Sequence, residues 1–216
     1  MGKIVVAIHT AFSTVDMIRQ EMQNAFPEIK LKNIVNEGLL DLAIADNGNL
    51  SKPHIRCFCE QAHIAEEIGA DAILCACSSV GDAVELAKGL SNIPLYRIDE
   101  PMMCKAVEDG NRIGIIATLT STLNPSGRLL SGIANERDKK VHINKYYCEN
   151  ALKALNEEKN KQKYERIVIE MVEKASEEND VLVLAQASMY SLLPLLENAK
   201  CPVLSSLPDG VRQIKL

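Results

Sequence analysis

The chain has 216 residues, 47% of them hydrophobic and 25% charged, which supplies a packed core and argues against disorder. A formal net charge of −5, 4% aromatic residues and no tryptophan argue against nucleic acid or an anionic membrane surface as a partner. No apolar run approaches the ~20 residues of a spanning helix, and no signal-like segment is visible. A cytoplasmic protein with reduced thiols is expected, its seven cysteines falling mostly in apolar segments.

Lys3 to Ile8 reads as a buried strand, followed by His9-Thr10-Ala11-Phe12-Ser13, a loop rich in hydrogen-bonding side chains. Thr14 is placed to cap a helix running to about Phe26, where Pro27 stops it. Lys30 to Val35 reads as a second strand. Glu37-Gly38-Leu39-Leu40-Asp41 follows, then a polar loop, Asp46-Asn47-Gly48-Asn49. Pro53 opens a long helix to Ile68, closed by Gly69. Cys57, Cys59 and His63 lie on that helix, where positions i and i+2 diverge, so no metal site is expected.

The run Ala70-Asp71-Ala72-Ile73-Leu74-Cys75-Ala76-Cys77-Ser78-Ser79 is an apolar strand ending in a thiol and two hydroxyls. A helix from about Asp82 to Gly89 and a strand around Ile93–Arg97 come next. Alternating strands and helices indicate an α/β fold with parallel strands, whose chemistry gathers beyond the strands' carboxyl ends. That places Cys77, Ser78 and Ser79 at a site.

The second half repeats this order. An offset of 109 positions carries Ile4 onto Ile113, His9 onto Thr118, Asp71 onto Asp180, Cys77 onto Gln186 and Ser79 onto Ser188. Asn111–Thr118 is a strand opening into a hydroxyl-rich loop, Leu119-Thr120-Ser121-Thr122. Val141–Tyr146 matches the second strand, and Glu149-Asn150-Ala151-Leu152 echoes Glu37-Gly38-Leu39-Leu40. A long helix spans Lys161 to Glu178, its charge-dense start (Glu157 to Lys163) reading as a solvated face. Cys201-Pro202-Val203-Leu204 repeats Ile93-Pro94-Leu95-Tyr96, and Leu207 to Leu216 reads as a short helix. The pattern predicts an internal duplication: two parallel-sheet α/β domains related by a pseudo-two-fold, with the site in the cleft between them. Residues 1–97 plus 207–216 would form one domain, carrying Cys77, and residues 98–206 the other, carrying Gln186.

These motifs resemble the aspartate/glutamate racemase superfamily, which includes amino-acid and hydantoin racemases, maleate isomerase and arylmalonate decarboxylase. The resemblance rests on Ala70–Cys77 with Ser78-Ser79 and on Arg112–Thr118, supported by Ile93-Pro94-Leu95 and Pro202-Val203-Leu204. It implies catalysis without pyridoxal phosphate or any other cofactor, on a small carboxylate or amino acid; a homodimer or higher homo-oligomer is the general default for assembly. In the racemases a cysteine from each half acts on opposite sides of the substrate's α-carbon. Cys77 matches the first position. Gln186 stands at the second, so this chain departs from the two-thiol pattern.

Removing an α-proton beside a carboxylate demands a base and stabilisation of an enediolate-like anion. Cys77 is the candidate, its thiolate favoured by the helix beginning near Gly81 and by neighbouring donors. Thr10, Asn47, Ser78, Ser79, Thr118, Thr120, Ser121, Thr122, Gln186 and Ser188 are expected to bind substrate as neutral donors. Cys75 reads as core. Gln186 cannot carry a proton at neutral pH. His9 or an activated water could therefore serve the second side, giving a racemase. Alternatively, Cys77 could be sole proton donor after another bond breaks, as in a decarboxylase or lyase, or attack an unsaturated substrate covalently. A catalytically silent carboxylate-binding protein is the remaining reading.

Overall fold

The computed structural model describes residues 2–216. The first sheet contains β1 (Ile4–His9), β2 (Lys30–Val35), β3 (Ala72–Cys75) and β4 (Leu95–Arg97), in the order β2-β1-β3-β4. The second contains β5 (Arg112–Ala117), β6 (His142–Tyr147), β7 (Val181–Leu184) and β8 (Val203–Ser205), in the order β6-β5-β7-β8. Every pairing is parallel. The register repeats with a one-residue slip in the first strand: Val5 lies opposite Ala72 as Ile113 lies opposite Val181, so His9 corresponds to Ala117 and not to Thr118. The α/β class stands, and two sheets of identical strand order fit the duplication.

Residue alternation along each central strand sends side chains to two apolar layers. Val6 and Ile8 join one cluster with Phe58, while Val5 and Ala7 join another with Ile18, Met22, Leu207 and Val211. In the second half Ile113, Ile115 and Ala117 go one way and Ile116 the other. The repeated aspartates perform one task in both halves. Asp71 accepts the Ile4 N–H at 2.8 Å and pairs with Lys3, while Asp180 accepts the Asn111 and Arg112 N–H groups and pairs with the Arg112 guanidinium. Each thus clips the start of its neighbouring strand.

The helices of the first half are α1 (Val15–Ala25), α2 (Glu37–Ala45), α3 (Lys52–Glu67) and α4 (Gly81–Lys88). Those that follow are α5 (Glu100–Asp109), α6 (Thr120–Glu136), α7 (Ala151–Asn156), α8 (Lys161–Ser176) and α9 (Asp209–Arg212). Several differ from expectation. The unassigned stretch after β2 is a helix, α2, because the Asn36 side chain accepts the Leu39 N–H and caps it. Thr14 caps nothing; its hydroxyl donates to Ala11 O, and the chain turns through a 3-10 segment, Phe12–Thr14, before α1 begins. Leu119–Thr122 is no loop: Thr120 to Thr122 form the first turn of α6. α8 stops at Ser176, and the C-terminal helix contracts to Asp209–Arg212.

The two halves are bound at the start of α6. Pro125, having no N–H, leaves the Ser121 carbonyl without its helical donor. The Asp46–Asn49 loop packs there, with Gly48 at φ +72 and no room for a Cβ, which would lie 2.2 Å from Ser121 O. Asn47 accepts from Thr120 Oγ1 at 3.0 Å, and Asn124 donates to Asn47 O. Arg128 of α6 holds Asp82 with two nitrogens and also donates to Gly48 O.

Beneath the Cys77 turn lies a buried ion pair. Arg97 donates to both Asp99 oxygens, at 3.0 and 2.9 Å, and both residues are nearly inaccessible. A Cβ at Gly81 would strike this guanidinium, so the turn rests directly on the pair. The Ser78 hydroxyl also reaches Asp99. Burial works against the Asp99 charge, yet the Arg97 charge and hydrogen bonds outweigh it and hold the carboxyl below its ordinary range.

Gly48→Ala should cost on the order of 2 kcal/mol in chemical denaturation, from left-handed strain and the collision with α6. Asp99→Asn should cost about 3 kcal/mol at pH 7, because the buried Arg97 is left with only the half-exposed Glu85, 3.5 Å away, as counter-charge. The folded Asp99 pKa lies below the unfolded one, so the pairing contributes fully above roughly pH 4 and is lost as pH falls through the folded value. Urea midpoints of wild type and variant should therefore converge as pH is lowered from 7 towards 2.

Candidate active site

A cavity of about 310 Å³ is lined from both halves by residues that follow the strand ends. From the first half come Thr10, Ser13 and Thr14 after β1 and Cys77, Ser78 and Ser79 after β3. From the second come Thr122 of α6 and Gln186 and Ser188 after β7. Cys77 and Gln186 thus border one opening.

Cys77 precedes a short 3-10 turn, Ser78–Val80, that leads into α4. The Ser79 and Val80 N–H groups and the hydroxyls of Thr10 and Ser79 lie near its sulfur. These are the donors expected at a helix start, and each favours the thiolate. Burial nevertheless outweighs them and pushes the Cys77 thiol up, contrary to the sequence expectation of an activated thiolate. At neutral pH the resting group is S–H, held among four donors that would relieve a negative charge once formed. Cys75, one turn of the pleat behind, is buried and donates towards Cys77 O, as a core thiol.

The expected binding residues divide by what holds them. Ser79 Oγ lies 3.2 Å from Ser121 Oγ and 3.1 Å from Thr122 Oγ1, a hydroxyl cluster joining the halves behind the thiol. Ser78 lines the cavity, but its hydroxyl serves Asp99. Thr118 is off the wall and orients Gln186: its N–H and hydroxyl both donate to Gln186 Oε1, at 2.6 and 2.9 Å. Because a backbone N–H can only donate, the amide oxygen must be the atom at Thr118. The Nε2 group then has no partner among the described residues and remains a donor for the cavity. Asn47, Thr120 and Ser121 bind the halves together and do not line the cavity.

His9 lies off the wall and is fully buried, with Nδ1 2.8 Å from Thr14 Oγ1 and Nε2 2.9 Å from Asn33 Oδ1. Burial lowers its pKa. These contacts hold the loop after β1.

Several wall residues carry no strand-end signal in the sequence. Leu152, Leu155 and Asn156 of α7 line the cavity with Lys161 and Tyr164 of α8. Lys161 is therefore a rim residue as well as part of a solvated stretch; it is the wall's one formally charged side chain and pairs with Glu165 at 3.3 Å. Burial pushes the Tyr164 phenol up to about 12, leaving it protonated.

No curated protein matches the chain in sequence. Solved structures of similar fold include a glutamate racemase from Francisella tularensis (TM-score 0.74, 14% identity, covering 98% of this chain and 80% of that one). An aspartate racemase from Picrophilus torridus superposes with TM-score 0.67 at 14% identity, over 95% and 89% of the two chains. An allantoin racemase from Klebsiella pneumoniae does so with TM-score 0.65 at 18% identity, over 98% and 85%. Among the described residues no helix is long and apolar enough to cross a membrane. The Asp/Glu/Hydantoin racemase family model matches residues 10–214, and the chain belongs to that family.

Proposed function

We propose that the protein is a cofactor-independent enzyme in which Cys77 exchanges a proton with the α-carbon of a small carboxylic acid. The observation that carries this reading is a thiol placed at the start of a helical turn in a cavity lined from both halves, with N–H and hydroxyl donors beside it. A substrate carboxylate bound at the cavity-lining hydroxyls and the Gln186 Nε2 group meets donors without a fixed counter-charge. Its charge in the anionic intermediate is stabilised by the same donors. The resting S–H is the proton-donating form; deprotonation produces a thiolate already surrounded by N–H and O–H groups.

Proton transfer from one side alone is the second reading, and Gln186 favours it. Its amide oxygen is tied to Thr118 and its nitrogen cannot titrate, so Cys77 is the sole proton-transfer group of the strand-end wall. Such a site delivers a proton stereospecifically, as a decarboxylase or lyase does.

Cys77→Ala should lower kcat/KM by roughly 10²–10⁴-fold with the fold intact, the range for loss of a positioned acid/base. Peptide-resolved alkylation should show Cys77 reacting slowly at pH 7, its rate rising through a pKa above that of a free thiol. Candidate acids incubated in D2O then separate the reactions: deuterium entry with loss of optical activity marks racemisation, and entry with retention marks one-sided transfer. Undiminished turnover in Cys77→Ala would sink the proposal.

A further inference from the structure

The strand-end hydroxyls account for only part of the cavity. The remaining wall is mostly apolar: Leu40, Leu119, Leu152, Leu155, Leu192 and Tyr164, with Asn156, Lys161 and Ser191 beside them. Two of these leucines are products of the duplication. Leu40 and Leu152 close the matching tetrapeptides Glu37–Leu40 and Glu149–Leu152, which lead from the second strand of each half into α2 and α7. The residue before each, Leu39 or Ala151, is fully buried in its own half's core. Each helix is anchored by that neighbour while the leucine itself stays half-buried and lines the cavity. Leu155, Tyr164 and Leu192 are part of one packed cluster, so this surface is the edge of a rigid core.

Charge complementarity is limited to a single rim position. Lys161 is 74% exposed and shared with Glu165, and no Asp or Glu lines the cavity. The neutral donors near Cys77 can hold one carboxylate. A second carboxylate set against the leucines would lose its hydration with no buried partner, which costs several kcal/mol. An apolar group placed there loses nothing and removes hydrocarbon from water.

On the reading of Cys77 as the proton-transfer group, we infer that the substrate is a monocarboxylic acid whose α-carbon carries an aliphatic or aromatic group. Leu40 and Leu152 contact that group from the two halves. An amino-dicarboxylic acid is not the substrate. At about 310 Å³ the cavity is at the small end of ligand pockets, in keeping with one such ring or branched chain beside the carboxylate.

The test is a calorimetric binding panel with the full-length protein, using 2-phenylpropionate and phenylalanine against aspartate and glutamate, with deuterium incorporation followed on the same compounds. At least one apolar acid should bind 10-fold or more tighter than either dicarboxylate. Leu155→Ala should weaken that binding about 10-fold or more, whereas volume-conserving Leu152→Met should keep it within about threefold. Aspartate or glutamate binding as tightly, or no saturable binding by either apolar acid, overturns the inference. Cys77-dependent exchange of aspartate alone would overturn it while leaving the proton-transfer proposal standing. Tight binding of the apolar acids without deuterium entry would do the reverse.

Discussion

The Ser79 hydroxyl sets the dimensions of the site. It reaches Cys77 on one side and Ser121 and Thr122 of α6 on the other, so the thiol of the first half is tied through one oxygen to the second. The contact is buried, and a buried hydroxyl network holds its geometry because any displacement leaves a polar group unpaired. Around it, Arg128 and the Asp46–Asn49 loop clasp the same helix turn. The cavity's width is thus held by polar contacts together with the apolar cluster that packs Ala187 and Tyr190 against Val5, Ala7 and Ile18 of the first half.

Below the turn, Arg97 and Asp99 perform a different task. Their guanidinium and carboxylate satisfy one another, bind Ser78 and form the floor on which Gly81 rests. A turn supported in this way can direct several N–H groups at one atom. Those donors, set against the desolvation of the sulfur, leave a thiol that is protonated at rest and surrounded by the groups its anion would need. The balance is decided by burial, the one quantity in this comparison that depends on the whole fold.

All eight strands are legible in the sequence, because the central ones are short apolar runs and the repeat lets one half corroborate the other at the mixed edge strands β2 and β6. The pairing of Cys77 with Gln186 across a cleft follows from the same repeat. Three kinds of feature are not legible. Thr120–Thr122 look like a loop since hydroxyls suit loops and helix starts equally, and Pro125 only four residues into the helix reinforces the impression. The burial of His9 against Thr14 and Asn33 leaves no mark in the residues around it. Leu155, Tyr164 and Lys161 enter the wall through the tertiary placement of α7 and α8, which no local pattern encodes.

Fusing two copies of a half-site into one polypeptide has a stereochemical consequence. A homodimer of identical halves would present the same side chain above and below a planar intermediate, and such a site cannot tell its prochiral surfaces apart. In the joined chain each copy can diverge alone, so sulfur stands at one end of the pair and an amide at the other. The two ends of the cavity are thereby chemically unlike by construction.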